Sequence, residues 1–178
     1  MKDLAKDSAH ILESLQSAIA ELCERESVVA VAIEVRGSKE RRIIEIYLDK
    51  PGDGISLDEC AAFSENISAI IDERGIIPAA YRLDVSSPGV ERPLVYAWQY
   101  ARNIGRLVVA ELHDGSVVKG RIGSVEGETV MVRRSSPEKK KTRSPERADA
   151  SRAIDAETNA PIALPLSAIK RGVIQLEF

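Results

Sequence analysis

The stretch YRLDVSSPGVERPL, residues 81–94, begins as a strand and then breaks off. Its first residues alternate between apolar and polar types, as in a strand with one buried face. The remainder is rich in turn formers, and two prolines restrict its backbone. Pro88 and Gly89 hold the second and third places of residues 87–90, which predicts a type II turn. The stretch therefore predicts a stiff corner that joins two structural modules.

The side chains at this corner are candidates for contact with a partner. The hydroxyls of Ser86 and Ser87 are expected to hydrogen-bond backbone groups that the ended strand leaves open. Pro93 holds Arg92 extended, so Glu91 and Arg92 project at fixed angles. A rigid connection without a ligand explains every residue except Arg92, whereas stiff loops are also where recognition concentrates. Both interpretations stay open at this point.

The residues before the corner predict an α+β domain that covers residues 1–91. An amphipathic helix is predicted over 4–24, with an apolar stripe opposite a charged face. Residues 28–35, VVAVAIEV, are nearly all apolar, as in a strand covered on both faces. Residues 41–49 alternate, which predicts a half-buried strand in which Asp49 faces solvent.

A second helix is predicted after the loop KPGDG, residues 50–54. Ser56 and Glu59 form a capping box at its start, and Gly75 ends it. Together with the strand that opens the central stretch, these elements give the order helix, strand, strand, helix, strand. This order predicts a compact two-layer α+β domain.

The chain over 92–178 predicts an all-β small barrel. Pro93 suits the first turn of a short helix, and Trp98 is expected to pack between the two halves or beneath the second. Five short strands follow, the last two joined by a single helical turn, and their spacing argues for a barrel. Gly120 and Gly123 fit a strand that must bend to close it.

A polar and basic insertion interrupts the predicted barrel at residues 135–160. It has almost no large apolar groups to offset the entropy of ordering, so a mobile loop is predicted. Between Arg133 and Arg152 the chain has eight Lys and Arg against three Asp and Glu. A charge run of this kind is either solvated surface or a site for RNA. The candidate RNA contacts are Arg133, Arg134, Lys139, Lys140, Lys141 and Arg143.

Charge is unevenly divided along the chain. Residues 1–100 carry 11 Lys and Arg against 18 Asp and Glu, and residues 101–178 carry 14 against 10. The second half is therefore able to approach a polyanion, which the first half repels. No apolar segment is long enough to span a membrane, and the charged N-terminus lacks the apolar segment of a signal peptide. A cytoplasmic protein is expected.

The residue types that carry catalysis are few and scattered. The two histidines are His10, on the solvent face of the first helix, and His113, in a hairpin turn. Cys23 and Cys60 are predicted to be buried and reduced. Two cysteines and two histidines so far apart make a poor zinc set. We predict no catalytic residue, no metal site and no cofactor.

Four segments of the chain resemble the bacterial ribosome maturation factor family RimP. The family signature is similar to the central stretch, YRLDVSSPGVERPL. The family's strand, glycine loop and second helix are similar to YLDKPGDGISLDECAAFSENISAIID. Its Sm-like barrel resembles GRLVVAELHDGSVVKGRIGSVEGETVMV, and its final strands resemble LPLSAIKRGVIQLEF. The resemblance covers nearly the whole chain, and the insertion at 135–160 departs from it.

The resemblance implies a cytoplasmic, non-enzymatic factor that binds immature small (30S) ribosomal subunits. It implies action late in assembly, through contact with small-subunit protein S12 and neighbouring rRNA. It also implies that the all-β domain is a Sm-like, SH3-like small barrel. The motif residues that match the family, with Glu91, are candidate partner contacts: Ser86, Ser87, Pro88, Gly89, Glu91, Arg92 and Pro93.

Two other functions are alternatives to this one. A self-assembling Sm-like RNA chaperone would form rings, but the α+β domain and the long loop would obstruct ring closure, so a monomer is expected. An enzyme would need a site that the sequence does not display. Light scattering distinguishes the ring from the monomer. A metal or nucleotide bound to the purified protein would support the enzyme.

Overall fold

The computed structural model describes residues 2–38, 40–134 and 160–177, with side chains from residue 7 onwards. It divides into two compact units, Met1–Pro88 (unit 1) and Gly89–Phe178 (unit 2). The division falls inside the central stretch, between Pro88 and Gly89. Each unit has an apolar core of its own.

Unit 1 is an α+β structure of two helices and three strands. Its elements are α1 (Lys2–Arg25), β1 (Val29–Gly37), β2 (Arg42–Asp49), α2 (Leu57–Glu73) and β3 (Tyr81–Ser86). The strands form one sheet in the order β1-β2-β3, in which β1 is antiparallel and β3 parallel to β2. The predicted order of helix, strand, strand, helix, strand is confirmed.

The core of unit 1 is built around the central strand β2. Its alternate residues are fully buried because β2 has a neighbour on each side and helix residues packed on one face. Both helices contribute residues of their apolar stripes, as the 3.6-residue period predicts. The fully buried members of this core are Leu15, Ile19, Ile44, Ile46, Leu48, Ile67 and Ile71.

The strand β1 is an edge strand, which corrects the expectation that it is covered on both faces. It pairs with β2 alone among the described strands, and residues 29–35 are only half-buried. A β-bulge between Ala30 and Ala32 interrupts its ladder. The apolar run suggested a covered strand, but the burial of a strand depends on its position in the sheet. Composition alone does not show that position.

Two charged residues of β2 are buried. Alternation predicts that Asp49 faces solvent, but the residue is 1% exposed, and its Oδ1 accepts a hydrogen bond from the Lys50 backbone N–H at 2.9 Å. Arg42 is also 1% exposed; it pairs with Asp7 and donates to Ser8 Oγ at 3.0 Å. The pair ties the first turns of α1 to the sheet, and this partner makes the burial of the guanidinium tolerable.

The predicted capping box of α2 is confirmed. Ser56 Oγ accepts from the Glu59 backbone N–H at 3.2 Å, and Glu59 Oε2 accepts from the Ser56 backbone N–H at 2.9 Å. The Lys50 ammonium also pairs with the Glu59 carboxylate. The hydrogen bond from Lys50, followed by those from Ser56, lowers the pKa of Glu59 from 4.5 to about 2.

We expect Lys50→Ala to raise the pKa of Glu59, because this substitution removes the largest cause of its depression. A carboxyl with a depressed folded pKa stabilises the protein above its unfolded pKa and loses that contribution as pH falls through the folded value. In the wild type the loss therefore runs from about pH 4.5 down to about 2, and in the variant it ends at a higher pH. NMR titration of the Glu59 side chain measures the shift. Lys170→Ala, which removes the partner of Glu111 in unit 2, is the matched control and should leave Glu59 unchanged.

Unit 2 comprises a short helix and five strands. Its elements are α3 (Ala97–Arg102), β4 (Leu107–Leu112), β5 (Val117–Glu126), β6 (Thr129–Arg134), β7 (Ile162–Pro165) and β8 (Ile169–Ile174). The strands form one antiparallel sheet in the order β7-β6-β5-β4-β8. A 3₁₀ helix, Leu166–Ala168, joins β7 directly to β8. The five predicted strands and the helical turn between the last two are confirmed.

Two glycines of unit 2 are needed because other atoms lie too close for a side chain. A Cβ at Gly120 would overlap the backbone oxygen of Arg133 and lie 2.7 Å from Val132 Cγ1. A Cβ at Gly172 would overlap the Tyr100 hydroxyl. Tyr100 is 1% exposed, and this burial raises its pKa to about 12. Glycine at position 120 therefore lets β6 lie close to β5.

The helix α3 begins at Ala97, four residues later than Pro93 predicts. The backbone of Leu94 is already engaged, because its N–H donates to the carbonyl of Gly172 in β8 at 2.8 Å. The side chain of Gln99 then accepts from the N–H of Val95, at 2.8 Å. Pro is compatible with a first helical turn, but this strand-like contact delays the helix.

Candidate protein- and RNA-binding surfaces

The first candidate surface is the segment 86–93, which we call the corner segment. It follows the end of β3 at Ser86. Most of its sequence-predicted contact residues are at the surface, and the rest are half-buried. The exposed ones are Ser86, Ser87, Gly89 and Glu91, and the half-buried ones are Pro88, Arg92 and Pro93.

The turn in the corner segment lies two residues later than predicted. The Arg92 N–H donates to the carbonyl of Gly89 at 3.0 Å, so the turn spans 89–92. A type II turn over 87–90 requires a positive φ at Gly89, and Gly89 is not one of the glycines with positive φ. Residues 87–90 and residues 89–92 both have the composition of a turn. The hydrogen bond donated by Arg92 shows that the turn forms over 89–92.

The two serine hydroxyls of the corner segment are open to a partner. Across residues 2–38, 40–134 and 160–177, neither Ser86 nor Ser87 has a side-chain hydrogen bond, so the expected local bonds are not formed. The backbone N–H of Ser87 instead interacts with the thiol of Cys60. Burial and then the charge of Glu59 raise the pKa of this thiol more than that N–H lowers it. Both serine residues are exposed.

Exposed apolar residues lie within the corner segment and directly after it, and they were not predicted from the sequence. Val90 is 41% exposed and Val95 is 55% exposed. Tyr96 stacks on Trp98 with ring centroids 5.6 Å apart, and the Arg102 guanidinium lies 5.5 Å from the Trp98 ring centroid on a neighbouring helical turn. The pattern of a short amphipathic helix hid these residues, because their exposure depends on the late start of α3.

The second candidate surface lies on β5 and β6, at the predicted RNA-contacting residues that the structure describes. Arg133 and Arg134 are the last two residues of β6, and both are exposed. Arg121 of β5 lies directly opposite Arg133 in the antiparallel register. Arg121 was not predicted from the sequence, because only the strand pairing brings it to this place. The other predicted contacts, Lys139, Lys140, Lys141 and Arg143, lie outside the described residues, as does most of the predicted mobile loop.

The described residues contain no group of three or more His, Cys, Asp or Glu side chains that could hold a metal ion. Both cysteines are free and buried, and burial, the largest cause in each case, raises their thiol pKa. A high thiol pKa leaves little of the nucleophilic thiolate. Among the described residues, no helix is long and apolar enough to cross a membrane.

The fold and these surfaces define a class: a two-unit α+β protein with exposed residues along the segment 86–93 and exposed arginines on β5 and β6. Comparison with known proteins makes the class specific. The family model of the RimP N-terminal domain matches residues 18–91, which include most of unit 1 and most of the corner segment. The ribosome maturation factor RimP of Cytophaga hutchinsonii is 40% identical over 112 residues, which are 62% of this chain.

The chain belongs to the RimP family, and the resemblance found from the sequence is confirmed. The aligned residues cover 66% of the Cytophaga protein, slightly less than two thirds of its length.

Proposed function

We propose that this protein is a non-enzymatic, cytoplasmic ribosome maturation factor that binds immature small (30S) ribosomal subunits. It assists late assembly through contacts with small-subunit protein S12 and with rRNA. Its membership of the RimP family is the observation that carries this proposal. The relative from Cytophaga is itself named a ribosome maturation factor.

The charge of the two units supports a division of these contacts. Residues 1–88 carry 10 Lys and Arg against 17 Asp and Glu, and residues 89–178 carry 15 against 11. An acidic surface attracts a cationic protein and accelerates its encounter, whereas it repels bare RNA. Unit 1 with the corner segment therefore contacts the ribosomal protein, and unit 2 approaches the rRNA phosphates.

The corner segment is the proposed protein-binding site. Its open serine hydroxyls and the exposed carboxylate of Glu91 provide polar contacts, and Val90 and Val95, which follow the serines along the chain, add exposed apolar area. Interfaces commonly combine an apolar centre with polar groups around it. The proposed contacts are Ser86, Ser87, Pro88, Gly89, Glu91, Arg92 and Pro93.

Unit 2 is proposed to be a closed small barrel of the Sm-like type. Its strand order places β7 and β8 at opposite ends of the sheet, yet the three residues Leu166–Ala168 join them. A connection this short spans only about 6 Å in a 3₁₀ helix, so the sheet must curl until its ends approach each other. We propose that the protein is a monomer. Light scattering of the purified chain tests this, because a ring-forming RNA chaperone would appear several times larger.

Binding to small subunits is tested by sedimentation through sucrose gradients, with the protein detected by antibody in a cell extract. We expect it to migrate with free small subunits and to be absent from translating ribosomes. With purified components, Glu91→Lys should weaken subunit binding about tenfold, the cost of like charges brought together at an interface. Glu126→Lys makes the same charge change at the end of β5 and should bind as the wild type does. If the wild type fails to sediment with small subunits at low salt, the proposed function is wrong.

The basic insertion has its own test. Replacing Lys139, Lys140, Lys141 and Arg143 by Ala should flatten the dependence of subunit affinity on salt, since each lost phosphate contact reduces the slope by close to one unit. Unchanged affinity and slope would show that these four residues do not contact rRNA.

A further inference from the structure

The outer face of the β5–β6 pair has two opposed arginines. The register places Arg121 opposite Arg133 and Gly120 opposite Arg134. The side chains of directly opposed residues lie on the same face of a sheet, and the intervening core residues Ile122 and Val132 are buried on the other face. Arg121 and Arg133 therefore share the solvent-exposed face.

An open groove of about 290 Å³ lies beside these side chains. The arginines, two glycines and one exposed apolar residue form much of its wall. A Cβ at Gly123 would lie 3.4 Å from Arg133 Nε, so the Arg133 side chain extends over this glycine. The lining includes Ile104, Gly105, Arg121, Gly123, Arg133 and Arg134.

The charge of the groove is incompletely balanced. Like charges directly opposite each other destabilise a sheet, so the pair Arg121 and Arg133 favours an anion between them. Within the part of the chain that the structure describes, only Arg121 has a carboxylate partner, which is Glu177. Neither Arg133 nor Arg134 forms an ion pair with a described residue.

The contact of Arg121 with Glu177 shows which ligand geometry the groove accepts. Arg121 Nη1 donates to Glu177 Oε2 at 2.9 Å, and Nη2 donates to Oε1 at 2.5 Å. Nη1 also donates to the carbonyl of Gly105 at 2.9 Å, which holds the guanidinium in place. The same two-pronged geometry binds a phosphate group.

The Glu177 carboxylate is a replaceable occupant. Its side chain is 48% exposed and that of Arg121 is 50% exposed, and ion pairs so exposed contribute little stability. Glu177 also lies beyond the end of β8 at Ile174, outside any regular element. A more highly charged anion that also contacts Arg133 is therefore able to replace it.

We propose that this groove binds backbone phosphates of RNA, and that the carboxylate of Glu177 occupies Arg121 until a phosphate replaces it. The proposal deepens the proposed function and rests on its rRNA contact. Arg121 and Arg133 on one face, with Arg134 also lining the groove at the end of β6, suit a chain of phosphates better than one small anion. Ile104, 52% exposed at the groove, offers an apolar contact for a ribose or a base.

The test measures binding of the full chain to a fluorescent single-stranded uridine oligonucleotide by anisotropy, at several salt concentrations. The double variant Arg133→Gln/Arg134→Gln should weaken binding about tenfold at low salt. It should also reduce the log–log salt slope by about 1.4, because each single-strand phosphate contact contributes about 0.7. Lys170→Gln/Arg171→Gln removes the same charge from exposed positions on β8 and should change the slope far less.

A second pair of variants tests the role of Glu177. Glu177→Gln should tighten RNA binding about threefold, because the phosphate then meets no competing carboxylate at Arg121. Glu126→Gln makes the same charge change at an exposed position outside the groove, and the gain should be clearly smaller. Fluorescence of Trp98, which lies in unit 2, confirms that each variant is folded.

Three results would overturn the proposal that the groove binds RNA. They are no binding of the oligonucleotide by the wild type at low salt, equal losses of affinity in the two double variants, or equal gains of affinity in the two glutamate variants. Parallel sedimentation of the wild type with small subunits tests the proposed function separately. The wild type could fail to sediment with small subunits while Arg133→Gln/Arg134→Gln alone loses affinity for the oligonucleotide. That result would contradict the proposed function and support RNA binding by the groove.

Discussion

Replacing Gly172 by Ala is expected to destabilise unit 2 by about 3 kcal/mol, the upper end of the usual cost of overpacking a core. The added Cβ would overlap the hydroxyl of Tyr100, which is 1% exposed and packed in the core of unit 2. Alanine in a strand is otherwise more stable than glycine by about 0.5–1 kcal/mol. The steric overlap outweighs this gain, so the net change is destabilising. Urea unfolding followed by the fluorescence of Trp98, the single tryptophan of the chain, measures the loss.

Two further variants make the cause of this loss specific. Tyr100→Phe removes the colliding oxygen at the cost of one long hydrogen bond, 3.3 Å to the carbonyl of Leu94. In the Tyr100→Phe background, Gly172→Ala should therefore cost less than it does alone. Gly123→Ala is the matched control, since its Cβ would meet its nearest neighbours at 3.4 Å. Equal losses for Gly172→Ala and Gly123→Ala would contradict the packing argument.

Ile46→Ala is expected to cost unit 1 about 3 kcal/mol, because it leaves a cavity in the middle of a close-packed core. Ile46 is 0% exposed on the central strand β2. Ile43→Ala makes the same change on the opposite face of that strand, where the side chain is half-buried, and should cost about 1 kcal/mol. Urea unfolding followed by far-UV circular dichroism compares the two variants, with Trp98 fluorescence identifying the transition of unit 2. Equal losses would mean that the core does not lie on the face that Ile46 occupies.

Local signals predicted most of the fold. The 3.6-residue period identified α1 and α2, alternation, apolar runs and turn residues identified the eight strands, and the Ser56–Glu59 box located the start of α2. Errors arose where a distant neighbour decides the outcome. Strand order leaves β1 at an edge, and the contact of Leu94 with Gly172 delays α3. Burial of Arg42 likewise depends on Asp7, which is 35 residues away in the chain.

The candidate surfaces were only partly predictable for the same reason. The composition of the corner segment indicated a stiff, exposed connection, but not which residues its turn joins. The positions of Arg133 and Arg134 followed from the charge pattern. Arg121 and Glu177 are 56 residues apart, and no local pattern relates them. The groove exists only because strand pairing places Arg121 beside Arg133.

The edge position of β1 offers a route for self-association of this protein. An outermost strand presents unpaired N–H and C=O groups to any other strand, and proteins commonly blunt such a margin with lysine, proline or a bulge. The run VVAVAIEV contains neither lysine nor proline, so the irregularity at Ala30 and Ala32 is its main protection. A dimer that grows with concentration would therefore arise most simply by intermolecular pairing through unit 1. Such a species is distinct from a ring assembled through unit 2, and Val31→Lys should abolish the first without affecting the second.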